Sequence, residues 1–431
     1  MKSLTVEELL KSMWINGLID NNLSTVDGQN VTIVHRGYPN YDSGPDFLSA
    51  RIYLEDKLWV GNVEIHAKAS DWLRHGHNTD KAYDSVILHV VNSFDMQIYR
   101  TNGEAIPTVE ISLDEGVIGS VEKIFRRDRS VPCAENLDFF DTVYIRQVLD
   151  KMVIERLERR REKIFHELVN YDYKWEQVFM ILLFSSFGMG INSVPFELLA
   201  KSIDYKIIYE NRDDLRVLES LLYGQAGLLN EKCEHEYFRD LLAKYEFLRV
   251  KYRLIPMQRE IWKFLRLRPN NFPTIRISQL ANFLAGVDNI LDFILESDYE
   301  QIRKKLAVNA SEYWQEHYRF CDEPHQKKRR SIGAKALDSI FINAIVPFIY
   351  SYARYQGDEK LVEKSLEFLH GVKFEDNRIT RYFKNLNLSG RTAFDSQGII
   401  ELYTAYCSNF RCLECPLGVK LLIHQAFGKD V

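Results

Sequence analysis

The residues best suited to chemistry lie between Gly44 and Val91, where Asp46, Glu64, His66 and Lys68 sit on two amphipathic segments. Side chains alternate across a strand, so Glu64, His66 and Lys68 share one face. With Glu55-Asp56-Lys57 as a three-residue loop, Leu54 faces Leu58, and counting outward sets Asp46 opposite His66. Cross-strand spacing then gathers an aspartate, a glutamate and a histidine into one cluster. A two-residue loop would slip the register and turn Asp46 to the other face. Paired acids of this kind are what Mg²⁺ or Mn²⁺ requires, because hard cations take carboxylate oxygens together with water and substrate phosphate. His66 or Lys68 beside them would orient or deprotonate the attacking water, or stabilise phosphate charge.

The histidines offer a second chemistry. His35, His66, His75, His77 and His89 all fall in this early part of the chain. His75-Gly76-His77 with His66, Asp80 and His89 could hold Zn²⁺ or another transition metal, since imidazole suits those ions. Plainer roles compete with this one. His89, between Leu88 and Val90, reads equally as a core histidine with a satisfied hydrogen bond, and His75 and His77 as an exposed polar loop. Ser70-Asp71-Trp72 reads as a helix cap.

The third candidate is at the other end. Cys407, Cys412 and Cys415 form C-x4-C-x2-C followed by Pro416-Leu417-Gly418. That spacing brings three thiolates to one Zn²⁺ or one 4Fe-4S cluster. The fourth ligand must be Cys133, Cys233, Cys321 or His424, and Cys133 is preferred because Pro132-Cys133 reads as a turn. Six cysteines in so long a chain favour metal binding over disulfides.

The elements that must position these residues follow from periodicity. Thr5-Val6-Glu7-Glu8 has capping-box spacing and opens a helix over 4–20 with Leu9, Leu10, Met13, Trp14 and Leu18 on one face. Strands are expected at Val31–His35, at the two segments of the hairpin, at Ser85–Val91, at Gln97–Tyr99 and at Thr108–Ser112. Beyond Leu113 helical periodicity takes over. Helices are expected at Tyr144–Val169 and then at 174–187, 195–207, 213–223, 235–250, 256–265, 277–286, 297–318, 336–354, 359–370 and 396–407. The fold class is therefore α+β: a mixed-sheet domain over residues 1–125, then an all-α domain over 126–431 that ends in the cysteine motif.

Composition sets the limits. A chain of 431 residues has material for two or more domains. Net charge is −5, so no global basic field announces nucleic acid, although local patches could bind it. No apolar run approaches the roughly 20 residues needed to cross a bilayer, and the acids in the N-terminal segment do not fit a signal peptide. A cytoplasmic protein without membrane attachment is expected. Basic residues gather at Arg126, Arg127 and Arg129, at Arg156, Arg159, Arg160, Arg161 and Lys163, around Lys263, Arg266, Arg268 and Arg276, and at Lys327–Arg330. Glu155, Glu158 and Glu162 interleave the second group as a solvated helix face would require, which leaves Lys327–Arg330 as the better phosphate contact.

A helix before three strands, with Pro45-Asp46 on one strand and Glu64-Ile65-His66 on the next, resembles the PD-(D/E)XK nuclease superfamily. The resemblance covers about the first 90 residues and implies a metal held by Asp46 and Glu64. His66 stands where that superfamily carries lysine, with Lys68 two residues further on. An acid on the leading helix, Glu7 or Glu8, would be a further member of the site by the same likeness. Some of these nucleases also carry an iron–sulfur cluster with three cysteines after the catalytic fold and one before it. Here Cys133 follows the strands instead.

Over nearly its full length the chain also resembles an uncharacterised bacterial family, a domain of unknown function. The residues that carry this likeness are Gly44-Pro-Asp-Phe47, Gly61-Asn-Val-Glu-Ile-His66, Ser70-Asp-Trp72, His75-Gly-His77, Leu88-His-Val-Val91, Leu267–Arg276, Ile342-Asn343 with Pro347, and Ser396-Gln-Gly398 leading to Cys407, Cys412 and Cys415. That likeness implies no activity.

The expected function is metal-dependent cleavage of DNA or RNA, with Asp46 and Glu64 on the metal and His66 or Lys68 on the water or phosphate. Two rivals stand beside it. One is a non-catalytic nucleic-acid- or protein-binding module with a degenerate nuclease core, and the other is a zinc hydrolase built from the histidines.

Overall fold

The computed structural model describes residues 5–125 and 130–426. The chain divides into two units, one of Met1–Leu149 with Ile400–Val431 and the other of Asp150–Ile399. The α+β class is as expected, but the C-terminal segment joins the first unit instead of closing the helical one. Arg126, Arg127 and Arg129 lie outside the described residues.

The first unit is organised on a seven-stranded sheet. Its strands are β1 (Asn22–Ser24), β2 (Asn30–His35), β3 (Tyr38–Pro39), β4 (Phe47–Leu54), β5 (Lys57–Lys68), β6 (Val86–Ser93) and β7 (Thr108–Glu110). They run in the order β1-β2-β4-β5-β6-β7, with β3 paired to β4. Pairing is antiparallel up to β5, whereas β5–β6 and β6–β7 are parallel. Exposure alternates along β2, so one face is solvated. β6 and the second half of β5 are buried on both faces, as strands covered on both sides must be. Gln97–Tyr99 forms no strand, only a single bridge from Tyr99 to Ala105, because Arg100 N already bonds Glu104 O across a tight turn.

Helix α1 (Val6–Ile15) packs its buried face of Leu9, Leu10, Met13 and Trp14 in this unit. The capping box forms as its spacing predicts: Glu8 N donates to Thr5 Oγ1 at 3.1 Å and Thr5 N to Glu8 Oε2 at 2.8 Å. Trp14 anchors the helix through Nε1–H to the Arg36 carbonyl at 2.9 Å. Between β5 and β6 the chain makes a four-residue helix, α2 (Asp71–Arg74), and two 3₁₀ turns, His77–Thr79 and Lys81–Tyr83.

The helical unit holds one extended apolar core, with Phe179, Phe184, Phe187, Phe196, Phe283 and Phe348 among its fully buried side chains. Three expected helices are altered by tertiary bonds. Residues 256–265 make only a 3₁₀ turn, Arg259–Ile261, since Met257 N is held by Gln225 O and Trp262 Nε1 by Ala226 O. The 297–318 helix stops at Leu306, because Ala310 N bonds Arg330 O and Ser311 N bonds Ser278 Oγ. The 195–207 helix splits into Ser193–Lys201 and Tyr205–Glu210, because the Gln177 amide donates to Ala200 O and accepts from Tyr205 N, while Asp204 caps the second piece. Contrary to the apolar-run reading, the helical stretch Ala334–Gln356 is long and apolar enough to cross a membrane. Its apolar window, however, is 78% buried within the protein, which makes it a core helix.

Candidate metal centre

Register decides whether Asp46 and Glu64 can meet. The β4–β5 turn is a two-residue loop, Glu55-Asp56, with Leu54 opposite Lys57, so the three-residue loop expected from sequence is corrected. Glu55 closes it in the left-handed region at φ 51° and accepts a bond from Asn30 N. A plain ladder from this loop would turn Asp46 away. Instead the register shifts between Ala50↔Gly61 and Phe47↔Val63, around Ser49 at φ 58°. This β-bulge supplies the compensating residue. Beyond it Asp46 meets Glu64, not His66: Asp46 N donates to Glu64 Oε2 at 2.9 Å, and Ile65 N donates to Asp46 Oδ2 at 3.0 Å.

The histidines converge on the same place from three positions. His66 lies on β5, His75 ends α2 and His77 opens the following 3₁₀ turn. Gly76 between them takes φ 78°, a left-handed conformation that reverses the chain so both rings turn inward. One ligand nitrogen from each of His66, His75 and His77 lies within 4.8 Å of the other two. Glu64 Oε1 is 3.4 Å from His66 Nε2 and 3.4 Å from His77 Nε2, and His75 Nδ1 is 3.1 Å from His66 Nε2. His66 and His77 are buried, whereas His75 is exposed and gives the group its opening to solvent.

A built shell holds these rings. His66 Nδ1 is bonded to His89 Nε2 at 2.9 Å, which orients its Nε2 toward Glu64. This is the outer-shell arrangement expected behind an imidazole ligand. Tyr83 stacks on His77 at 3.7 Å between ring centroids, and Trp72 meets His77 and His89 edge-on. Burial, reinforced by His89, His75 and His77, holds His66 down to about 2, and burial with His77 nearby holds His89 down to about 3. Both rings are therefore neutral at physiological pH, the form in which imidazole binds metal. His89 is fully buried and bonded to His66 through Nε2, whereas its Nδ1 is buried without a partner among the described residues, so the expected core histidine is only half satisfied.

Lys11 is the member that sequence spacing did not reveal. From α1 its Nζ reaches Asp46 Oδ1 at 2.7 Å and Glu7 Oε1 at 2.8 Å. The only local signal was its i,i+4 relation to Glu7; nothing in the chain order pointed across to Asp46. Burial works against the Lys11 ammonium, but Asp46 and Glu7 outweigh it and raise its pKa. Burial and then the Glu64 carboxylate push Asp46 up to about 6, against the pull of Lys11. Of the two leading-helix acids, Glu7 joins the site through Lys11, while Glu8 is committed to the helix cap. Lys68 is exposed at the end of β5 and forms no ion pair with the Glu64–histidine group among the described residues, so its expected catalytic role has no geometric support. Asp80 caps the second 3₁₀ turn by accepting from Ala82 N at 2.9 Å.

Two of the described basic residues are structural. Arg330 is buried and spends its guanidinium on Trp314 O, Asn270 and Gln315 O, and Arg276 is buried on Gln279 and Asn271. Arg161 pairs with Glu158, as the interleaved acids suggested. Lys327 faces Glu312, so the block favoured for phosphate is partly compensated.

Among the cysteines, Cys233 and Cys321 form a disulfide with Cα atoms 5.7 Å apart, a pairing the metal-first reading did not anticipate. His424 is exposed, with its ring 4.6 Å from that of Phe139. Cys133, Cys407, Cys412 and Cys415 are all buried thiols of the first unit.

The chain belongs to the family described as Protein of unknown function (DUF2851), whose profile matches residues 7–378. That span contains every residue of the Glu64–histidine group and stops short of Cys407. No curated protein and no solved structure matches the chain.

Proposed function

We propose that this member of a family of unknown function is a metal-dependent phosphodiesterase acting on DNA or RNA. Glu64, His66, His75 and His77 would hold one divalent ion, with Asp46 and Lys11 beside it. The observation that carries the reading is the convergence of three imidazole nitrogens within 4.8 Å, with Glu64 Oε1 3.4 Å from two of them. Nitrogen-rich donors favour Mn²⁺ or Zn²⁺ over the Mg²⁺ that two carboxylates alone would suggest. Such an ion supplies Lewis acidity and a hydroxide-like nucleophile near neutral pH. Asp46, raised to about 6, is suited to take a proton under those conditions. Lys11 holds that carboxylate and places a positive charge where a phosphate oxygen would gain negative charge. The choice of phosphodiester rests on the resemblance of Pro45-Asp46 and Glu64-Ile65-His66 to the nuclease motif.

The histidine trio also favours a second reading, a zinc hydrolase acting on another scissile bond. One experiment separates the two. Purified protein stripped of metal and resupplied with Mn²⁺, Zn²⁺ or Mg²⁺ is tested on single- and double-stranded DNA and RNA and on ester and amide substrates. Cleavage of nucleic acid that needs metal and disappears in Glu64→Ala and Asp46→Ala supports the first reading. Equal nuclease activity in parent and variants removes it, and hydrolysis confined to non-nucleotide substrates transfers the site to the second.

A further inference from the structure

We propose that Cys133, Cys407, Cys412 and Cys415 are the four thiolate ligands of a second metal centre, one that takes a thiophilic ion or cluster and fastens the C-terminal segment to the N-terminal unit. This site is separate from the histidine group and, apart from Cys133, lies beyond the span matched by the family profile.

Burial is the first argument. All four sulfurs belong to buried residues, each no more than 7% exposed, and all belong to one compact unit although Cys133 and Cys407 are remote in sequence. The stretch after Cys133 packs on the stretch after Cys415: Lys420 Nζ lies 4.1 Å from the centre of the Tyr144 ring, and the Phe139 ring lies 4.6 Å from that of His424. A cation among buried thiols is held by thiolates, because a coordinating thiol loses its proton outright.

Backbone geometry is the second. Cys407 starts a 3₁₀ turn that ends at Phe410, which is left-handed at φ 55°. The chain then folds back, with Arg411 N on Tyr406 O and Cys415 N on Arg411 O. The helix Pro416–Leu421 begins directly after Cys415. Gly418 permits this closure, since a Cβ there would collide with the Cys412 carbonyl oxygen. The result is a tight knuckle presenting Cys412 and Cys415 from one turn, the local form that short C-x2-C spacings take around metal. Of the other candidate ligands, Cys233 and Cys321 are spent on each other.

The knuckle also has a mechanical connection. Ser12 Oγ donates to the Leu413 carbonyl at 2.9 Å, between two of the cysteines, and Tyr144 Oη donates to the Pro416 carbonyl at 3.1 Å. Ser12 adjoins Lys11 on α1, so the helix that brings Lys11 to Asp46 is gripped by the thiolate loop on its neighbouring residue.

The test uses full-length protein purified without oxygen, in the parent and in His75→Ala/His77→Ala, Cys412→Ser and Cys415→Ser variants. The expected result is thiolate-bound metal retained by the double histidine variant and lost from both cysteine variants, which keep only what the histidines hold. About one zinc in colourless protein identifies a single ion, and about four irons with broad visible absorbance identify a cluster. Should the serine variants fold poorly, thiol titration of the native parent decides instead. Four thiols shielded until a chelator or acid is added support the site. Four thiols reacting at once, a disulfide among them, or metal lost entirely with the two histidines would overturn it.

Discussion

Asp46 and Glu64 are tied to one another by crossed bonds. The amide of Asp46 donates to the Glu64 carboxylate, and the amide of Ile65, next to Glu64, donates to the Asp46 carboxylate. Each acid thus gives up one oxygen to fixing the partner's position, leaving Glu64 Oε1 for the histidines and Asp46 Oδ1 for Lys11. This division of oxygens is the basis of the roles proposed above.

Glu64→Gln retains an acceptor for the Asp46 amide but removes the negative charge beside His66 and His77. It should weaken metal binding and lower turnover, with the fold intact by circular dichroism. Asp46→Asn should retain metal and lower turnover by about 10²–10⁴-fold, the usual contribution of a positioned proton acceptor. Metal titration and rate measurement on both variants separate holding from proton transfer.

Lys11 lowers the pKa of Asp46 through charge and hydrogen bond, so Lys11→Met should raise that pKa above its present value of about 6. The acid limb of the pH–rate profile should move upward by roughly 1–3 pH units. Lys11→Arg, which keeps the charge, should move it far less. An unmoved acid limb in Lys11→Met would mean that the ammonium does not govern Asp46.

Acid should destabilise the metal-stripped protein through His66 and His89. Their folded pKa values are depressed from the ordinary 6.5 to about 2 and about 3, so the unfolded chain binds more protons throughout that window. The stability they contribute is complete above pH 6.5 and is lost as pH falls toward the folded values. Two such groups give a loss of about 2.5–3 kcal/mol for each pH unit below 6. Denaturant titrations across that range should show a slope roughly halved in His89→Gln.

In the helical unit, Glu219 is buried and accepts bonds from Ser278 Oγ at 2.7 Å, Tyr237 Oη at 3.0 Å and Ser311 Oγ. Glu219→Ala leaves the buried Ser278 and Tyr237 hydroxyls and the half-buried Ser311 hydroxyl without this acceptor and should cost about 2–4 kcal/mol in chemical denaturation. Ser311→Ala removes its bond to Glu219 and the two that its Oγ accepts from Ser278 Oγ and Asn282 Nδ2, and should cost about 1–2 kcal/mol.

Local sequence determined what local physics controls. Thr5 and Glu8 specified the start of α1, alternation marked most of the strands, and the C-x4-C-x2-C spacing marked a tight thiol loop. His75-Gly76-His77 stood out because imidazole suits transition metals, yet an exposed polar loop fitted the same residues equally well. Spacing along the chain could not give the bulge at Ser49, which returns Asp46 to Glu64 after a shorter turn than expected. Nor could it show that Lys11 crosses from α1, that Cys233 finds Cys321, or that 256–265 gives up a helix for bonds to Gln225 and Ala226. Each of these depends on which distant surfaces bury one another. Periodicity reports which face of an element is apolar but not which partner covers it, and so only the tertiary structure decided how the candidate site is assembled.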